Sequence, residues 1–205
     1  MLTLTRFHLR LDRISQAQLE AVRRGRNRDF VRRNHIYQNP ISREEQEVWF
    51  RKINRPDTYY FVVSRNDQAV AATHMRGIDE ALTKGDYGLF VWDRKQLGTA
   101  VPIYITLLML DFFFVSLGLR LVEGTILEKN QPIRKICEFF DFSFRPAAQA
   151  GVLVTFSTRE NYLRRRGFLM RLAAKSFPDK NELDLKISGA RSPLHLGAVN
   201  ALLPA

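Results

Sequence analysis

Cysteine is almost absent from this sequence. Cys137 is the only one in 205 residues, so no intrachain disulfide can form and no zinc cluster can be assembled from thiolates. That suits a reducing, cytoplasmic setting, and no metal is expected. Acidic residues are outnumbered: 21 Asp and Glu stand against 32 Lys and Arg, a formal net charge of +11. The N-terminal Met-Leu-Thr-Leu-Thr-Arg-Phe-His alternates polar and apolar residues and has no continuous apolar core, which disfavours a secretory signal. Residues 100–117 come nearest to a membrane span. Asp111 interrupts them and Pro102, Tyr104 and Thr106 dilute them, so a buried core helix fits better and no transmembrane segment is expected. No internal repeat is visible.

What is present suits one globular domain, because 45% hydrophobic and 11% aromatic residues can fill a core in a chain of this length. The positive charge is clustered. Arg23, Arg24, Arg26, Arg28, Arg32 and Arg33 form one group, and Arg164, Arg165 and Arg166 a second. Such groups suit an anionic partner or a solvated basic face. Nucleic acid is disfavoured, since neither aromatic-basic interleaving nor zinc spacing accompanies them.

Along the chain, residues 3–11 place Phe7, Leu9 and Leu11 opposite His8 and Arg10, the alternation of one half-buried strand. Ser15 caps a short helix carrying Leu19 and Val22. Ser42 and Glu45 make a capping box for a helix whose apolar side is Val48, Trp49, Phe50 and Ile53, ended by Pro56 and Asp57. Tyr59–Arg65 and Ala69–Met75 read as a hairpin about Asn66-Asp67, and residues 86–92 as the next strand. A helix apolar nearly all round follows, from about Thr99 to Leu117, with Pro102 in its first turn and Gly118 closing it. Residues 121–127 are a strand, and the helix after Asn130 carries Pro132 in its first turn. Residues 142–145 and 152–157 form a closing antiparallel pair. Hairpins and helical crossovers together demand a mixed sheet in an α/β layout. From residue 167 the pattern weakens into a C-terminal extension, helical over Phe168–Ala174 and poor in pattern over 188–205.

The segment Leu89-Phe-Val-Trp-Asp-Arg-Lys-Gln-Leu-Gly-Thr-Ala100 carries the chemistry: an apolar strand, a basic loop with a glycine, and a helix start. Loop amides and a helix N-terminus together can bind phosphate or pyrophosphate. The loop Lys95-Gln96-Leu97-Gly98-Thr99-Ala100 and the element order resemble the GNAT superfamily of acyl-CoA-dependent N-acyltransferases, whose Gln/Arg-x-x-Gly-x-Gly/Ala loop it matches with Lys in the first place. Asn130 stands where that family has an Asn after its next strand. Ile136-Cys-Glu-Phe-Phe-Asp-Phe142 keeps the framework of the family's hydrophobic-Tyr-Glu-x-x-Gly-Phe pattern with two replacements. Residues 26–34, Ile41–Phe50 and Phe156–Tyr162 are similar to the branch containing ribosomal-protein and nucleotide-amino-sugar N-acetyltransferases, the sugar-acting members above all.

The resemblance implies a GNAT-like, mostly antiparallel mixed sheet flanked by helices over residues 1–166, with 167–205 appended. It implies acetyl-CoA as acyl donor, bound through Phe90, Val91, Trp92, Lys95, Gln96, Leu97, Gly98, Thr99, Ala100 and Asn130. It implies direct attack by a primary amine on the thioester, most readily the amine of a nucleotide-linked sugar, whose charge would give Arg26, Asn27, Arg33 and His35 a purpose. Cys137 occupies the place of the family's acid Tyr, where it is a proton donor or a buried structural thiol. Glu123, His74 and His35 are alternative bases, and a water-mediated path is a further one. A peptide acceptor and a catalytically silent acyl-CoA- or nucleic-acid-binding module are the alternative functions. A homodimer stays open.

Overall fold

The structure is a computed structural model that describes residues 2–55, 57–79 and 81–189. Pro56 and the end of the extension, residues 190–205, lie outside the described residues. The chain opens with a hairpin rather than one strand: β1 (Thr3–Arg6) and β2 (Leu9–Arg13) pair antiparallel, Leu4 opposite Leu11. The turn is made by Phe7 and His8, both in the left-handed region at φ 57° and 55°. The two-residue turn shifts the phase of the alternation, since Leu2 and Leu4 at even positions share the core with Phe7, Leu9 and Leu11 at odd ones, and reading Phe7, Leu9 and Leu11 as one strand from residue 3 passes over that shift.

Ser15 and Gln18 form a capping box on a short 3-10 turn that leads into α1 (Leu19–Arg26), and α2 (Asp29–Arg32) follows. Ser42 accepts from the Glu45 amide to start α3 (Arg43–Ile53). Strands β3 (Tyr59–Arg65) and β4 (Gln68–Arg76) form the expected hairpin, with Asn66 and Asp67 at positive φ. Next come β5 (Lys84–Val91), α4 (Val101–Leu110), β6 (Leu121–Leu127) and α5 (Gln131–Phe139). The closing pair is β7 (Ser143–Pro146) and β8 (Val152–Thr158), before α6 (Arg159–Ser176) and β9 (Lys186–Ser188).

These strands make one nine-stranded sheet in the order β7-β8-β6-β5-β4-β3-β2-β1-β9. Every neighbouring pair is antiparallel except β5 and β6. The Tyr-Tyr-Phe-Val-Val run of β3 is apolar without alternation because both faces are covered. Tyr59, Phe61 and Val63 point into a large core with α4, α5 and α6, while Tyr60 and Val62 point into a second core with α1, α2 and α3. The residue-166 division expected from sequence falls inside α6, whose Tyr162, Leu169 and Ala173 are buried in the large core.

The long helix expected to run to Leu117 changes form at Asp111. α4 gives way to a π-turn over Asp111–Ser116, with the Leu117 amide bonded to the Phe112 carbonyl at 2.9 Å. Phe112, Phe113 and Phe114 are all buried there.

Gly25, in the last turn of α1, faces the Trp92 indole so closely that an added Cβ would lie 2.5 Å from Trp92 Cδ2. Gly25→Ala should therefore lower the thermal midpoint. Overpacking costs roughly 1–3 kcal/mol, against a helix-propensity gain of at most about 1 kcal/mol so near the helix end. An unchanged midpoint by circular dichroism would contradict this packing.

Candidate active site

Parallel pairing between β5 and β6 is brief: Lys84, Gly85 and Asp86 lie opposite Leu121, Val122 and Glu123, and the register ends there. Beyond that point β5 stays on β4 up to Val91, while β6 stays on β8 up to Leu127. The sheet thus opens between its two central strands. The Trp92 amide bonds to the Val70 carbonyl at 3.0 Å, so by strand alternation Leu89 and Val91 turn their N–H and C=O groups toward the opening. A Cβ on Gly124 would lie 2.8 Å from the Tyr87 carbonyl oxygen, which marks where the strands part. Of the residues expected to face the donor, Phe90 has its strand partner in Ala72, and the Trp92 carbonyl accepts from Arg28 Nη1 at 2.6 Å.

At the end of β5 the chain forms a 3-10 turn, then Gly98 at φ 77° with open space where a Cβ would stand. Asp93 accepts from the Lys95 amide, and the Gln96 and Leu97 amides bond to the carbonyls of Asp93 and Arg94. The Thr99 amide bonds weakly to Gln96, and the Thr99 hydroxyl accepts from Val101. Among the described residues, this leaves the amides of Gly98, Ala100 and Ile103 without a protein acceptor, at the N-terminus of α4 and beside exposed Arg94 and Lys95. Asn130 caps α5 through the Ile133 amide and donates from Nδ2 to the Asn34 carbonyl at 3.2 Å, joining the two banks of the opening.

On the face covered by α1–α3, Asp86 and Glu123 sit side by side in register. They line a cleft of about 370 Å³ with Lys52, Arg55, Asp57, Arg76 and Lys84. Arg76 pairs with Asp86 at 2.6 Å, and Glu123 lies 3.4 Å from Arg145 and 3.9 Å from Lys84. Further along this face the His74 imidazole stacks on Tyr60 at 5.1 Å, and His35 meets Phe90 edge-on at 5.5 Å. Gly88 lies opposite His74, and a Cβ there would fall 2.3 Å from the imidazole, so this glycine makes room for the ring. Burial, with smaller contributions from neighbouring positive charge, pushes both imidazoles down to about 3. Both are therefore neutral at pH 7.

The arginine-rich segment is largely engaged within the protein. Arg23 and Arg24 pair with Glu20, Arg28 holds Trp92, and Arg32 pairs with Asp29. Both groups of the Asn27 amide clamp the main chain of Ile41 at 2.8 Å. Arg33 is exposed. Trp49 packs on Tyr60 at 4.8 Å in the second core, while Val48, expected on the apolar side of α3, is exposed.

Cys137 is buried on the opposite face, its thiol hydrogen-bonded with Thr155 and pushed by burial up to about 11, so it is protonated at neutral pH. Near it lies the Tyr87 hydroxyl, 3.2 Å from Thr106 Oγ1. Asp86, Tyr87 and Tyr60 escaped the sequence reading. The glycines within β5 were a usable signal, since a lone glycine in a strand marks a close approach. Among the described residues no group of His, Cys, Asp and Glu could hold a metal ion, and no helix is long and apolar enough to cross a membrane.

No curated protein matches the chain in sequence. Solved structures do match its fold. A GCN5-related N-acetyltransferase from Brucella melitensis superposes with a TM-score of 0.70 at 17% identity, over 85% of this chain and 86% of that one. Mycobacterium smegmatis RimJ in complex with CoA-disulfide gives 0.68 at 14% identity, over 85% and 95%. The Vibrio cholerae spermidine N-acetyltransferase in complex with CoA and spermine gives 0.64 at 15%, over 76% and 98%. The family model of the acetyltransferase (GNAT) domain matches residues 8–143. The chain therefore belongs to the GNAT acetyltransferase family, the acyl-CoA-dependent N-acetyltransferases.

Proposed function

We propose that this protein transfers an acetyl group from acetyl-CoA to a primary amine by direct attack, the amine being carried by an anionic acceptor such as a nucleotide-linked amino sugar. The opening between β5 and β6 is the observation that carries the reading. It offers the turned-out backbone groups of Leu89 and Val91 to an amide-containing arm, and it leads to unpartnered loop amides flanked by Arg94 and Lys95, which suit a pyrophosphate. Asn130 would keep the α5 bank in position.

In this reading the amine arrives from the face of the Asp86–Glu123 cleft. Its nitrogen bonds to the acetyl carbon, the carbon–sulfur bond breaks, and the thiolate leaves. Imidazoles with so little proton affinity are weak bases at neutral pH, which favours Glu123, directly or through water, as the group that takes the ammonium proton. The Tyr87 hydroxyl and the Cys137 thiol, both protonated, lie on the side where the thiolate would need a hydrogen-bond donor. Around the cleft the cations Lys52, Arg55, Arg76 and Lys84 face the carboxylates Asp57, Asp86 and Glu123, so the lining carries no net negative charge to draw a polycationic acceptor. A peptide amine is the second reading, since half-buried Val154 and Phe156 and exposed Thr125 leave the neighbouring face of β6 and β8 open to an extended chain.

Calorimetric titration tests the donor site. Gly98→Glu places a carboxylate, on backbone suited to glycine, where the pyrophosphate would lie, and should weaken acetyl-CoA binding by roughly 100-fold, the scale of one lost charge-assisted contact plus repulsion. Equal affinity in both proteins would remove the reading. Binding without thiol release across amino-sugar nucleotides and peptides would leave the silent module instead.

A further inference from the structure

We propose that Arg26 anchors an oxyanion, carboxylate or phosphate, that the acceptor carries close to its reacting amine. This rests on the reading of the α1–α3 face as the acceptor side.

Arg26 is only 9% exposed. One arm of its guanidinium, Nη2, donates to the Tyr37 carbonyl at 2.6 Å, while the buried Nη1 has no partner among the described residues. A buried guanidinium arm without an acceptor is costly and rare, and it calls for a ligand. Its charge is felt at Tyr60 and at His35, and His35 in turn feels His74. His74 stacks on Tyr60, and its buried Nδ1 also lacks a partner. Two unpartnered buried nitrogens thus belong to one cluster.

The charges acting on this cluster come from Arg26, Arg32 and Arg76, with the tyrosines Tyr37 and Tyr60; Arg32 is paired with Asp29 and Arg76 with Asp86, so Arg26 is the one of the three without a carboxylate partner among the described residues. A fixed guanidinium beside neutral imidazoles, each with one N–H to give, suits a planar or tetrahedral oxyanion and repels a cation. The wall over the cluster is irregular chain, residues 33–42, where Ile36 and Tyr37 are exposed and can lie against the rest of the acceptor.

Position ties the anion to the chemistry. His74 faces Gly88 and His35 touches Phe90, both on β5 just past its last pair with β6. An oxyanion held here lies near an amine attacking through the opening. The same fixed positive charge disfavours an ammonium beside it, which eases the acceptor toward its nucleophilic free base.

The test compares amines of one skeleton carrying a carboxylate, a phosphate monoester or no charge, with spermidine as a polycation, in a thiol-release assay with acetyl-CoA. The two anionic amines should exceed the neutral one by roughly 10- to 100-fold in kcat/KM, the scale of one charged hydrogen bond, and whichever anion leads identifies the group. Arg26→Met should erase that preference, bringing the anionic amines down to the neutral one chiefly through KM; a preference that survives the substitution overturns the inference. Where CoA still stabilises the protein but anionic and neutral amines react alike, the inference is overturned while the acetyltransferase reading stands; absence of CoA binding overturns that reading itself. Should Arg26→Met fail to fold, titration of the wild type with acetate and with inorganic phosphate is decisive. The imidazole NMR signals of His35 and His74 should shift with at least one of them, and no shift with either overturns the inference.

Discussion

Asp111→Ala is expected to lower the thermal midpoint by roughly 6–20 °C, the equivalent of about 3–5 kcal/mol for removing one member of a buried ion pair in a chain of this size. Asp111 opens the π-turn and is 2% exposed. Its carboxylate is bonded to Arg6 Nη1, accepts from Arg166 at 2.6 and 3.0 Å, and accepts the Tyr162 hydroxyl at 2.6 Å. Burial opposes its ionisation, but the Arg166 hydrogen bonds, the Arg6 charge and the Tyr162 hydroxyl outweigh it and hold the carboxyl below its ordinary range. With alanine there, two guanidinium groups would face each other with no carboxylate between them. The loss approaches the whole stability of a domain, about 5–15 kcal/mol. Differential scanning calorimetry checks the midpoint, and a loss under a few degrees would sink the claim. Replacing Arg6, Asp111 and Arg166 together by apolar residues should restore much of it, because the desolvation cost vanishes along with the attraction.

Acid should destabilise the protein well above the carboxylate range. His35 and His74 are lowered from 6.5 to about 3 in the fold. Between those values the unfolded chain binds a proton at each that the native state refuses, so stability falls as pH falls below about 6.5 and goes on falling until the folded value is reached. Each histidine contributes a slope of up to about 1.4 kcal/mol per pH unit. Asp111 acts lower: its contribution is present above the usual Asp value and is lost only as pH drops through its depressed one. Urea unfolding at pH 7, 6, 5 and 4 should show a steep decline, which His74→Gln and His35→Gln should each make shallower by about half. A midpoint flat from pH 7 to 5 would refute the enclosure of both rings.

Much of the fold was legible wherever local chemistry and architecture agree. Ser42 with Glu45, Asn130 with Pro132, and Asn66-Asp67 each satisfy a backbone need within a few residues and can be read without knowing the neighbours. The Phe7-His8 reversal shows only as a phase shift of the apolar positions, from Leu2 and Leu4 to Phe7, Leu9 and Leu11, because neither turn residue demands positive φ and the hairpin imposes it. The opening of the sheet was hidden, since the composition of β5 is the same whether or not a strand lies beside it. The side-by-side placement of Asp86 and Glu123 depends on a register that no local pattern encodes. The arginine cluster looked like a surface for anions because the groups that absorb most of it include carbonyl oxygens of Tyr37, Ile41 and Trp92, which a sequence does not display. Candidate residues far apart in the chain, His35 and His74, were named separately, and only the stacking of α1 and α2 over β4 and β5 brings them together.

The pairing of β9 with β1 bears on how this protein is made. Thr3, Leu4 and Thr5 find their partners in Ser188, Ile187 and Lys186, so one rim of the sheet is completed by a strand synthesised long after the first hairpin. During synthesis at about 5–20 residues per second, the β1 rim would stay bare for roughly 9–35 seconds after the first hairpin exists. A bare rim is a template for pairing with another nascent chain. The crowding of messages carrying many ribosomes, more than the stability of the finished protein, would then set the yield of correctly folded molecules.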